Sequence, residues 1–259
     1  MLLEDRVAIV SGIGPGMGRD IALAFAREGA HVVLGARNED RLQEVASEVE
    51  SLGRKAVWSR TDITSAEDCA GLAAAAVDTF GRIDVLVNNA FVQPPLEMIE
   101  NADVDTWRQA FETNVVGSVQ MTTAVLPTMK AQQSGSVVFI GSMSARRIRR
   151  NFGVYAATKS ALMSTATTLA KEHGRDGIRV NTVLPGYIWG PSLEWFFSHL
   201  ANKQGRTPEE VYADVAGETC LDHIPTSAEI ADTVVFFASD LSRVVTGQSL
   251  DVNAGHWFG

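Results

Sequence analysis

Val7-Ala8-Ile9-Val10-Ser11-Gly12-Ile13-Gly14-Pro15-Gly16-Met17-Gly18 is the stretch that decides the fold. A short apolar run enters a glycine-rich turn, and the turn enters a helix-like pattern over Gly16–Glu28. A strand–turn–helix of this kind lets backbone approach a pyrophosphate and aims a helix N-terminus at it. Gly12, Gly16 and Gly18 give the spacing GxxxGxG rather than GxGxxG. Gly14-Pro15 stiffens the loop and removes one N–H donor, because proline fixes φ. The competing reading is an ordinary tight turn, which the strand and helix on either side disfavour.

Outward from this stretch, apolar runs alternate with helical patterns. Strands are expected at Val7–Val10, His31–Gly35, Ala56–Arg60, Ile83–Val87, Ser136–Ile140, Arg179–Val183 and Ser249–Val252. Several are continuously apolar, as strands covered on both faces must be. Helices are expected at Gly16–Glu28, Asn38–Leu52, Ala66–Phe80, Val104–Lys130, Tyr155–Glu172 and Ala228–Ser239. Thr64 with Glu67 reads as a capping box for the third helix. The alternation predicts a single-domain α/β fold, a Rossmann-type doubly wound parallel sheet with helices on both faces and right-handed crossovers. The segment from Tyr187 to Ile224 breaks the rhythm and reads as an excursion from the sheet, a substrate-binding lid within one domain of residues 1–259.

A chain of 259 residues, 46% hydrophobic and 20% charged, is long enough for one well-filled α/β domain. The net charge of −9 argues against general nucleic-acid binding, which needs a basic surface. No apolar run approaches the roughly 20 residues that span a membrane, and no signal segment precedes the first strand. Cys69 and Cys220 match no metal spacing and are expected as buried free thiols, as in a reducing compartment. These features predict a cytoplasmic protein with no metal site.

Chemistry is carried by the second half of the chain. Ser142 follows a predicted strand, and Tyr155 and Lys159 sit at i, i+4 on one helix face. A phenol near its ordinary pKa of roughly 10 exchanges protons poorly at neutral pH. A neighbouring ammonium favours the phenolate, and the upstream hydroxyl can hold a substrate oxygen. Asn114 and Gly117 are unfavourable inside a helix, so a kink or an exposed carbonyl is expected there.

These motifs together resemble the short-chain dehydrogenase/reductase family, nearly end to end. Gly12-x-x-x-Gly16-x-Gly18 resembles its cofactor motif, with Ser11 where Thr is more usual. Thr61-Asp62-Ile63 resembles the acidic position beside the adenine, and Asn88-Asn89-Ala90 resembles the family's NNAG. Asn114, Ser142, Tyr155 and Lys159 resemble the catalytic set, and Pro185-Gly186 the turn that covers the nicotinamide. The resemblance implies a reversible hydride transfer in which Tyr155 moves the proton, Ser142 polarises the oxygen, and Lys159 tunes Tyr155 and grips the ribose. It implies that Asn114 holds a relay water. Cofactor contacts are expected at Ser11, Gly12, Gly16, Met17, Gly18, Arg37, Asp62, Ile63, Asn89, Ala90, Tyr155, Lys159, Pro185, Gly186 and Ile188. It also implies a homotetramer.

The preferred cofactor is read from the end of the second strand. A carboxylate there would bind the ribose 2′-OH of NAD(H), but Leu34-Gly35-Ala36-Arg37-Asn38 has none. Arg37 can bind a 2′-phosphate through two hydrogen bonds, so NADP(H) is favoured and NAD(H) stays possible. Phe91 stands where the family has Gly, and Gly190 where it has a Thr near the carboxamide.

The substrate side is less determined. Tyr187, Trp189, Trp195, Phe196, Phe197, Trp257 and Phe258 suit a bulky, largely apolar carbonyl or alcohol, or equally a lid core or subunit interface. Arg146, Arg147, Arg149 and Arg150 suit a carboxylate, a phosphate or an acyl-carrier surface, or a solvated or paired face. The alternatives to an alcohol dehydrogenase or ketone reductase are a 3-oxoacyl-thioester reductase, a non-catalytic NADP(H) sensor, and a dehydratase or epimerase.

Overall fold

Seven strands form one parallel sheet in a computed structural model of residues 1–259. They are β1 (Val7–Ser11), β2 (His31–Ala36), β3 (Ala56–Arg60), β4 (Val85–Asn88), β5 (Gly135–Ile140), β6 (Ile178–Pro185) and β7 (Ser249–Val252), in spatial order β3-β2-β1-β4-β5-β6-β7. The chain reverses its direction of travel across the sheet between β1 and β4, where Ala8 pairs with Val85 and Ser11 with Asn88. Ligands of doubly wound sheets gather at the strand C-termini beside such a reversal.

Alternate side chains of each strand feed two cores. Ala8, Val10, Val85, Val87 and Val138 face α1 (Met17–Arg27), α2 (Glu39–Ser51) and α9 (Ser227–Ala238). Val7, Ile9, Leu86, Val137 and Phe139 face α3 (Ala66–Phe80), α5 (Ser118–Gln132) and α6 (Gly153–His173). Each fully buried aliphatic or phenyl side chain contributes about 1.5–3 kcal/mol, so helices on both faces lock the sheet that carries the site. The predicted doubly wound fold is the observed one.

Boundaries shift where side chains compete for the backbone. Strand β4 starts at Val85, not Ile83, because Gln132 takes both backbone groups of Ile83 at 2.9 and 2.7 Å. The third helix is capped one residue later than Thr64 with Glu67 predicts. Ser65 accepts from the Asp68 N–H, and Thr64 turns back to Asp62. The single helix expected over Val104–Lys130 is three pieces: α4 (Val104–Phe111), a π-helical turn (Glu112–Gly117) and α5. Asn114 and Gly117 both lie in that turn, where the sequence placed a kink.

Between β6 and α9 lie α7 (Pro191–Gln204) and α8 (Pro208–Gly217). They pack on each other around Phe197, Ala201, Val211, Ala216 and Ile224, a core separate from the two that clothe the sheet. Thr207 with Glu210 and Thr226 with Glu229 form complete capping boxes at α8 and α9. Cys69 is buried, and burial pushes its thiol up to about 11. Cys220, expected buried, is exposed, its Sγ directed at the Gly255 carbonyl. No helix is long and apolar enough to cross a membrane.

Candidate active site

The glycine turn closes β1 against the end of β4. Gly12 has φ +97°, and a Cβ there would fall on the backbone of Ala90. A Cβ on Gly18 would fall on the Gly12 carbonyl. That carbonyl accepts from Asn89 Nδ2 at 2.5 Å, and the Ser11 carbonyl accepts from the N–H groups of Asn89 and Ala90. The glycine spacing therefore records a backbone crossing, and Asn89 ties it down.

The crossing leaves a cleft of about 1020 Å³, large enough for a dinucleotide. Gly12–Asp20, Gly35–Asn38, Thr61–Thr64, Asn89–Phe91, Thr113, Ile188–Leu193 and Ser227 form its walls. The helix α1, like α5, α6 and α7, has no side-chain cap, and its first turn, Met17–Asp20, lines the cleft beside the glycine turn. Its first N–H groups are left for an anion in the cleft.

Arg37 stands in the wall with no carboxylate within 4.0 Å, while nearby Arg19 is held by Glu48 and Asp20. Ala36 brings no carboxylate to the same wall. Asp62 is held below the usual carboxylate range, chiefly by the Thr64 N–H and hydroxyl, with help from Arg37 and Arg60. A cradle without side chains, an uncapped helix and a free guanidinium fit a phosphorylated dinucleotide.

Of the residues expected to touch a cofactor, Gly12, Gly16, Met17, Gly18, Arg37, Asp62, Ile63, Asn89, Ala90 and Ile188 lie on this wall. Ser11 does not. It is buried in β1, and its Oγ has no hydrogen-bond partner. Pro185 and Gly186, at and just beyond the end of β6, and Tyr155 and Lys159, on α6, also lie off the wall. Thr113 and Ser227 line the cleft although nothing in their local sequence marks them. They arrive there through the π turn and α9, which long-range packing positions.

The catalytic candidates meet at the C-terminal end of β5. Ser142 follows the strand after Gly141, and its Oγ accepts from the Ser144 N–H at 3.1 Å. Tyr155 opens α6 with Phe91 and Phe152 flanking its ring, each centroid 6.4 Å away. Lys159 lies one helical turn further, 3% exposed, with Nζ donating to the Ile140 carbonyl at 2.8 Å. The same Nζ lies 5.1 Å from the Phe91 ring centroid and 5.7 Å from that of Tyr155.

Burial dominates the electrostatics. It pushes the Lys159 amine down to about 8. It also pushes the Tyr155 phenol up, and the Ser142 hydrogen bond pulls the other way. The sequence predicts a phenol lowered by its lysine. In this structure burial is the largest influence on Tyr155, and the Lys159 ammonium donates to the Ile140 carbonyl and lies over the Phe91 ring.

Asn114 is fully buried, and its side chain accepts from the Val92 N–H at 2.7 Å and donates to the Val92 carbonyl at 3.0 Å. It thereby pins the Phe91–Val92 loop to the π turn. Its main-chain carbonyl accepts from Ser118 Oγ at 3.1 Å.

The aromatic residues divide. Trp189 borders the cleft but packs on Phe197 and Tyr212. Trp195 is exposed and stacked on His199, and Phe258 is exposed. Most of the ring area serves the α7–α8 core and the surface.

Fold and site together have the form of a dinucleotide-dependent oxidoreductase. A family model described as Enoyl-(Acyl carrier protein) reductase matches residues 12–256. The 7alpha-hydroxysteroid dehydrogenase of Escherichia coli (strain K12) is 32% identical, over 98% of this chain and 94% of its own. L-Sorbose reductase from Gluconobacter frateurii, solved with NADPH and L-sorbose, superposes with TM-score 0.91 at 30% identity, covering 99% of this chain and 98% of its own. An NAD+-bound xylitol dehydrogenase superposes at 0.90 with 28% identity, covering 98% and 100%. The chain belongs to the short-chain dehydrogenase/reductase family.

Proposed function

We propose that this chain interconverts a secondary alcohol and a carbonyl compound, with NADP(H) preferred over NAD(H). The observation that carries the reading is the convergence of Ser142, Tyr155 and Lys159 beside a cleft walled by the glycine turn and an unpaired Arg37. Relatives bound to NADPH and to NAD+ support a nicotinamide cofactor, and Arg37 favours the phosphorylated form.

The Gly12–Gly18 turn and α1 would hold the pyrophosphate, Arg37 the 2′-phosphate, Asp62 and Ile63 the adenine side, and Asn89, Ala90 and Ile188 the inner half. A nicotinamide bound there supplies a hydride to the carbonyl carbon, or takes one from the alcohol. Tyr155 delivers the proton to the carbonyl oxygen, and Ser142 donates a hydrogen bond to the same oxygen. Lys159, charged below a pH of about 8, stands one turn behind Tyr155 and steadies the phenolate that remains. In this reading Asn114 holds a relay water that returns the proton to Tyr155.

The cytoplasmic location in this reading is supported by two free thiols. A homotetramer is supported by apolar side chains exposed at Val104, Val116 and Leu250.

A panel of ketones and secondary alcohols, followed by nicotinamide absorbance with both cofactors, tests the reading. Turnover with NADP(H) is expected, and Tyr155→Phe should lose about 10²–10⁴-fold in kcat while keeping its affinity for the cofactor. Full activity in that variant refutes the mechanism. A 3-oxoacyl-thioester reductase is the second reading, and the matching family model, described for a reductase of an acyl carrier protein substrate, favours a carrier-linked substrate. Carrier-linked substrates should then be turned over at rates that fall with salt.

A further inference from the structure

The four arginines after Ser142 divide into two pairs. Arg146 is paired with Asp251, and Arg147 lies 3.8 Å from Glu218 and bonds His256. Arg149 and Arg150 have no carboxylate within 4.0 Å, in a chain of net charge −9. Arg150 directs Nε at Met98 Sδ. Arg149 is held in place instead by rings. Its guanidinium carbon lies 5.2 Å from the Phe152 ring centroid and 5.3 Å from that of Tyr187, whose hydroxyl accepts from Nη1.

This frame touches the reaction centre. Phe152 lies edge-on to Tyr155, with centroids 6.4 Å apart. Tyr187 follows Pro185-Gly186 and stacks on His256 at 5.6 Å. Arg149 is therefore one aromatic contact removed from the proposed proton donor.

We propose that Arg149 sets substrate specificity by binding a carboxylate on the substrate, so that the enzyme acts on a hydroxy acid or oxo acid. The proposal rests on the alcohol–carbonyl reading above. The Phe152 and Tyr187 rings lie beside the guanidinium, and the Tyr187 hydroxyl accepts from Nη1, which together hold this exposed side chain in place. The N–H edge, with only one donor committed to Tyr187, stays open. A fixed guanidinium edge matches a carboxylate through two parallel hydrogen bonds. An acidic carrier surface would need a broad basic patch, and half of this run is already neutralised.

The experiment compares 4-acetylbenzoate with its methyl ester, which has the same ring and ketone and no charge. Each is titrated calorimetrically into the enzyme saturated with NADP+, where no reduction can occur. The wild type should bind the acid about tenfold or more tightly than the ester, as expected for one charge-assisted contact. Arg149→Met should bring the two affinities within about twofold, and Arg149→Lys should restore part of the difference. Unchanged NADP+ affinity in both variants shows that they fold. Equal affinity for acid and ester in the wild type overturns the proposal, as does a preference that survives Arg149→Met. Absorbance measured in parallel with NADPH addresses the activity itself. Silence with both compounds counts against the alcohol–carbonyl reading while the titration still decides the carboxylate question.

Discussion

The phosphate end of the cleft and the surroundings of Tyr155 are built by different means. At the phosphate end the structure is a backbone crossing, with Gly12 against Ala90 and Gly18 against Gly12. Around Tyr155 it is a stack of side chains from three distant segments, Phe152 and Arg149, Tyr187, and His256. The first kind of site leaves no room for a side chain, so its sequence is nearly fixed by its geometry. The second can be altered one residue at a time without moving the sheet. A common cofactor end and a variable substrate end follow from that difference.

The comparison is broken most directly by giving the glycines a methyl group. Gly12→Ala forces a positive φ on alanine and a collision with Ala90. It should cost about 2–5 kcal/mol in urea unfolding, with cofactor affinity largely lost. Gly190→Ala, at the substrate end, has open space and extended backbone (φ 164°) and should stay within about 0.5 kcal/mol of the wild type. Equal losses at the two positions would erase the distinction.

Between the ends, Lys159 shows what the chemistry costs the fold. Its folded pKa of about 8 lies below the ordinary value of 10.5. Between those values the unfolded chain binds more protons, so stability rises with pH through that window. Below pH 8 the full cost of a buried ammonium is present, about 3 kcal/mol from the size of the shift. Lys159→Met also loses the bond to Ile140, worth about 1 kcal/mol. The apo variant should therefore gain about 2 kcal/mol at pH 7, and the gain should vanish near pH 10. Denaturant melts at pH 7 and pH 10 measure it.

Arg37→Asp sharpens the phosphate end. Replacing a guanidinium by a carboxylate should shift the NADP/NAD ratio of kcat/KM by about 10–100-fold toward NAD, and an unchanged ratio would remove Arg37 from the site. A smaller effect is expected away from the cleft, in α8. Thr207→Ala removes half of the α8 capping box and should cost about 1 kcal/mol. The loss should be read as faster hydrogen exchange in Pro208–Gly217, with β1 and α1 unaffected.

What the sequence discloses follows the same division. The glycine turn and the Tyr155/Lys159 pair are short-range patterns whose spacing is their geometry, so both were legible. The kink at Asn114–Gly117 was legible as two poor helix formers, but its form as a π turn depends on Asn114 gripping Val92 across 22 residues of chain. The third helix cap fell on Ser65 because Asp62 claimed Thr64. The aromatic run after Pro185 showed that apolar area is buried there, yet not whether rings face a ligand or each other. Only packing decides that Phe197 is core and Trp195 is surface. The lowered Lys159 and raised Tyr155 arise from burial, which no spacing encodes.

The strand order also governs how the chain reaches this structure. Every neighbouring pair is parallel, so no hairpin is available to start the sheet. The shortest closure around β1 is with β2 across α1, whereas β1 meets β4 only after two further βα units have been made. Loop-closure entropy must be spent before that contact returns anything. The half that contains β1, α1 and β2 can therefore condense early. The cleft, which needs β1 and β4 side by side, is among the last parts of the molecule to exist.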